Sequence, residues 1–124
     1  GSDEKALRKQ QEVLRKVEEV LEKQERVLRE LEEISYRVIT RGEDHKAEED
    51  SRRVLERFVR VSREVLKVLE EFLRVSEELL READRDRDRR LEEYERQVDE
   101  LREEIRRYKE EVDKFDKEVK YYKK

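Results

Sequence analysis

From Leu91 onward the apolar residues recur at alternating intervals of three and four without a miss. They are Leu91, Tyr94, Val98, Leu101, Ile105, Tyr108, Val112, Phe115, Val119 and Tyr122. Only a helix turns such spacing into one continuous stripe, because a strand would scatter the same residues over both faces. Sustained over several heptads, the pattern predicts a helix with a coiled-coil-like seam. The positions 91, 98, 105, 112 and 119 are labelled a, and 94, 101, 108, 115 and 122 are labelled d. The stripe also decides how the composition is read. Of 124 residues, 33 are Lys or Arg and 37 are Asp or Glu, and only 33 % are apolar. Without periodicity those proportions describe a disordered chain. With it, the charge is solvent-facing cover for long helices.

Two earlier segments carry wider stripes. In the first, Leu7, Leu14, Leu21 and Leu28 recur every seven residues (a), with Val17, Leu31 and Val38 at d and Ala6, Val13, Val20, Val27 and Ile34 along one flank (g). The second has Leu55 and Leu69, then Phe58, Val65, Phe72 and Leu79, at a and d, with valines and leucines on both flanks. A helix exposed on one side needs about three apolar positions per heptad. Four place the second helix in the middle, with neighbours on both sides. Arg41-Gly42-Glu43-Asp44 separates the first two helices: Gly42 suits the positive φ of a C-terminal cap and Asp44 can cap the next N-terminus. At Asp84-Arg85-Asp86-Arg87-Asp88 the apolar stripe fails. This break reads as a second turn or as a charged hinge in one helix running from 44 to 124.

The uncharged polar residues favour the turn. Beyond the Gly1-Ser2 start there are four Ser, four Gln and one Thr. Ser35, Ser62 and Ser76 fall at a, and Ser51, Gln10 and Gln24 fall at d, while the outer faces are almost wholly charged. That inverts the usual distribution of polar side chains. In an antiparallel hairpin, facing residues have numbers adding to a constant. Gln10 with Ser76, Gln24 with Ser62 and Ser35 with Ser51 all give 86, a turn centred at residue 43. Ser76 with Tyr94 and Ser62 with Tyr108 both give 170, a turn centred at residue 85, inside the second break. Gln10, Ser76 and Tyr94 therefore share one predicted layer, and Gln24, Ser62 and Tyr108 a second, with Gln11 and Gln97 close enough to complete the first. Buried polar groups left unpaired cost on the order of 1–3 kcal/mol each, so such layers are expected to be mutually hydrogen-bonded. A slipped or mispaired helix would set Gln against Leu, which makes the layers devices of specificity.

Other chemistry is thinly represented. There is no Cys, so neither a disulfide, a thiolate metal site nor a thiol nucleophile is available, and the redox compartment is not legible. No apolar run approaches the roughly 18 residues of a membrane span. Net charge is −4 with both signs interspersed, unlike the clustered positive charge of a nucleic-acid surface. His45 with Glu48 and Glu49 has helical metal-ligand spacing, but a lone His in a charged turn reads as solvated. The inserted Glu43 spoils any Arg-Gly-Asp motif. No carboxylate sits at a core register where burial would tune its pKa for acid–base work, and no Ser/His/Asp grouping is present. Tyr94, Tyr108 and Tyr122 read as core aromatics rather than as a stacking platform for single strands. No cofactor, metal, small molecule, nucleic acid or membrane is expected, and no enzymatic activity.

Residues Val54–Lys67 repeat in Val68–Arg81, identical at nine of fourteen positions. With the Gly1-Ser2 start, near-equal helices and the absence of Asn, Pro, Met and Cys, the whole chain resembles a de novo designed helical bundle carrying buried hydrogen-bond networks. Natural spectrin-like three-helix repeats are the nearest natural comparison, but they usually carry a Trp in the first helix that is missing here. The resemblance implies an assembly module: a scaffold, a homo-oligomer or half of a heteromer. The expected fold is all-α, an up-down-up antiparallel three-helix bundle with long helices over about 3–41, 44–83 and 87–122, forming one domain over 1–124. The stripes narrow from four apolar positions per heptad in the second helix to three in the first and two in the third. This mismatch predicts a partly exposed row on the first helix at Ala6, Val13, Val20, Val27 and Ile34. That row is the candidate face for self-association or a partner helix.

Overall fold

The computed structural model describes residues 2–42, 44–83 and 89–122. They form three helices, α1 (Ser2–Arg41), α2 (His45–Glu82) and α3 (Arg89–Tyr122), arranged up-down-up as a three-helix bundle, with no strand among the described residues. The Asp84–Asp88 break lies outside the described residues. What is described on either side of it consists of two separate helices, because Tyr94 and Tyr108 of α3 stand level with Ser76 and Ser62 of α2.

The first connection follows from its residues. Gly42 takes φ +85°, where a Cβ is disfavoured, and its N–H donates to the Val38 carbonyl at 2.9 Å. Asp44 is extended and its carboxylate accepts from the Ala47 N–H at 2.6 Å, capping α2. A cap of this kind contributes about 1 kcal/mol.

α2 is the middle helix and packs against both others, whereas among the described residues no Cα of α1 comes within 8 Å of one in α3. The apolar interior is accordingly split. Between α1 and α2, Val27, Ile34, Val54 and Val61 are buried together, with Val20, Leu31 and Phe58 against them. Between α2 and α3, Leu66, Ile105 and Val112 form a second cluster with Leu69, Leu73, Leu101 and Tyr108. Phe58 and Phe115 meet edge to face with centroids 5.7 Å apart.

One expectation is reversed. The row Val13, Val27 and Ile34 is buried, Val13 to 1 % exposure, with Val20 half-buried; these residues pack against α2 and are not the free face. The exposed row is the neighbouring one: Leu7, Leu14, Leu21 and Leu28, at 51, 45, 44 and 42 %. The cause is the rotation of α1 about its own axis. The Val/Ile row and the row Gln10, Val17, Gln24, Leu31 and Val38 together form an unbroken three-four seam, and that seam faces inward. The leucines lie on its flank, where no third helix approaches closely enough to cover them. Ser35 continues the leucine row and is exposed for the same reason.

Surface charges confirm the rotation. On the other flank of the α1 seam, Lys16 pairs with Glu71 (3.4 Å), Lys23 with Glu64 (3.1 Å), Glu30 with Arg57 and Arg37 with Asp50 (3.2 Å). Lys16 thus reaches across to α2. Asp113 of α3 likewise engages Arg63 of α2 at 2.8 Å, and Glu103 pairs with Arg106 on its own helix. Such exposed pairs contribute at most about 1 kcal/mol each but set which flank faces which helix.

Candidate functional site: two polar layers beside an open groove

Each layer is built alike. The Gln10 Nε2 donates to Ser76 Oγ at 3.1 Å and to Tyr94 Oη at 2.9 Å. Two heptads on, the Gln24 Nε2 donates to Ser62 Oγ at 3.1 Å and to Tyr108 Oη at 2.8 Å. Ser62 and Ser76 are each 2 % exposed, while the Gln and Tyr side chains are half-buried. Among the described residues no fully buried side-chain nitrogen or oxygen lacks a partner. The layers tie all three helices at two levels about 21 Å apart, taking a rise of 1.5 Å per residue.

The remaining sequence candidates separate from these layers. Ser51 is half-buried and Ser35 exposed, and no hydrogen bond joins them, because the rotation of α1 carries Ser35 onto its outer flank. Gln11 and Gln97 are both exposed and stand outside the first layer. Tyr122 falls where its side chain is not described. What sequence reasoning missed is the leucine row. The signal for it was present: counting Gln10 and Gln24 as interior residues gives α1 a regular seam without any leucine of the 7, 14, 21, 28 series.

The layers are built of Gln, Ser and Tyr and hold no carboxylate or imidazole. The acidic pH dependence lies elsewhere. The Arg63 guanidinium donates to Asp113 at 2.8 Å and to Asp116 at 3.1 Å. That hydrogen bond, seconded by the Lys120 charge, holds the Asp116 carboxyl below its ordinary value of 3.8. A depressed carboxylate stabilises the fold above its unfolded pKa, near 3.9, and the contribution is lost as pH falls through the lower folded value. In a carbon-detected NMR titration, Asp116 is expected to titrate below its unfolded value, and Arg63→Met to raise it. An Asp116 titration unchanged in the variant would show that Arg63 is not the cause.

No group of three or more His, Asp or Glu side chains among the described residues is placed to hold a metal. His45 is highly exposed and stands 3.1 Å from Glu49. A surface depression of about 900 Å³ between α1 and α2 is lined largely by Arg and Glu, including the paired Glu30 and Arg57. No described helix is long and apolar enough to cross a membrane. Compared with known proteins, the chain matches no family model, no curated protein and no solved structure.

Proposed function

We propose that the chain is a helical assembly module of the designed-bundle kind. Its work is to present one face to another helical chain, and its polar layers fix helix register and partner choice. The observation that carries this reading is the row Leu7, Leu14, Leu21 and Leu28, exposed at heptad spacing beside an open flank of the bundle. Four leucines in line are an interaction face rather than scattered surface residues. A catalytic reading has less to stand on: among the described residues no charged side chain is fully buried and many are paired, and the deeply buried polar residues are serines held by glutamine.

The module reading predicts association through this row. At about 1 M salt, where charge is screened within roughly 3 Å, light scattering should give a mass above the 15.5 kDa of one chain. Leu14→Glu/Leu21→Glu should return the mass to one chain with helicity unchanged. A single-chain mass for the unaltered protein up to millimolar concentration at that salt would overturn the reading.

A further inference from the structure

α1 and α3 run parallel, side by side, linked by the Gln10–Tyr94 and Gln24–Tyr108 hydrogen bonds. On the side away from α2, where among the described residues no Cα of α3 comes within 8 Å of one in α1, this leaves a groove beside those Gln and Tyr pairs; Leu21, Gln24 and Leu28 line a depression of about 420 Å³ in its α1 wall. The flanks of the three helices divide into two kinds. Those facing α2 are matched in sign, Lys16 to Glu71 and Lys23 to Glu64 on α1, Arg102 to Glu77 and Asp116 to Arg63 on α3. The groove flanks are not. Beyond the leucines, the outer rail of α1 carries Glu18, Glu25 and Glu32; beyond Tyr108, the rail of α3 carries Glu104, Glu111 and Glu118. All six are exposed, and the only ion pair any of them makes among the described residues is Glu25 with Arg29 on its own helix. Since Gln10 is level with Tyr94, Glu18, Glu25 and Glu32 lie within about 3 Å, along the axis, of Glu104, Glu111 and Glu118 respectively. One heptad earlier the corresponding residues are Gln11 and Gln97, so the acidic rails end together in an uncharged pair.

The layers are also incomplete. One terminal atom of each Gln amide serves both Ser and Tyr, and the other has no partner on this chain among the described residues. Each layer therefore retains unused hydrogen-bonding capacity next to the groove.

We infer that the groove takes a single amphipathic helix of another protein, with an apolar face and Lys or Arg along both edges. The inference rests on the assembly reading and names the partner. The basic edges span three successive heptads and give way to uncharged residues at the Gln11/Gln97 level. Uncharged polar side chains at the Gln10 and Gln24 levels complete the two layers. A second copy of this chain fits less well, because its corresponding face carries the same acidic rails.

Two fluorescent helical probes of about 35 residues test this, sharing one leucine face with Asn at two positions two heptads apart. One is edged with Lys and Arg, the other with Glu. In anisotropy titrations at about 0.1 M salt the basic probe should bind at least about thirty-fold more tightly, and the ratio should fall towards one at about 1 M. Glu18→Lys/Glu25→Lys/Glu104→Lys/Glu111→Lys should reverse the preference, and Leu14→Glu/Leu21→Glu should abolish binding of the basic probe. Equal binding of the two probes, binding of neither, or basic-probe binding that survives the leucine substitutions would each overturn the inference. The salt-driven association of the chain with itself stands or falls separately, so failure of the partner assignment and failure of the assembly reading give different results.

Discussion

Gln24→Leu should destabilise the bundle by about 1–3 kcal/mol, the cost of leaving a buried hydroxyl without its partner. The hydroxyl in question is Ser62, which is 2 % exposed and accepts from the Gln24 amide. Tyr108 is half-buried and can turn to water, so it adds less. Gln24→Leu/Ser62→Val behaves differently. It removes both polar groups and fills the space with hydrocarbon, and it should restore or exceed the original stability. The loss should then appear in specificity, as a broader distribution of masses and partners, because slippage no longer sets Gln against Leu. Urea unfolding followed by circular dichroism gives the stabilities and light scattering the masses. A double variant less stable than the single one would show that the layer stabilises the fold directly and that its role is not selective.

Truncating two leucines separates the interior from the proposed docking face. Leu66→Ala, in the α2–α3 cluster at 5 % exposure, should cost about 2–5 kcal/mol through lost burial and the cavity left behind. Leu21→Ala, at 44 % exposure, removes a side chain that is already largely in water and should cost under about 1 kcal/mol. The two substitutions delete the same atoms, so the ratio of their effects measures packing alone. Equal costs would mean that α1 and α3 close over the leucine row in solution. There would then be no open groove.

Much of this was legible because helical periodicity is local. The three-four alternation in 91–122 makes a helix whatever lies beside it. Four apolar positions per heptad make α2 the middle helix, since no other position covers both of its flanks. Gly42 and Asp44 mark the first turn by their own conformational preferences. The layers were legible too, because Gln10, Ser76 and Tyr94 are polar in registers that are otherwise apolar, and their numbers are tied to the turn centres. The α1 rows were not. Val13 and Leu14 are both apolar and adjacent in sequence, and a modest rotation of the helix exchanges which of them is buried.

The order of helices, their lengths, the place of α2 and the pairing of the Gln, Ser and Tyr residues were therefore determined by the sequence itself, through period and register. The tertiary structure alone decided which flank of α1 stays open. That choice depends on a neighbour rather than on the residues of α1. Matched charges hold α1 against α2 on one flank, and on the other α3 comes no closer than the reach of a Gln–Tyr hydrogen bond. The leucines are left beside the groove because the helix that would cover them is not among the three.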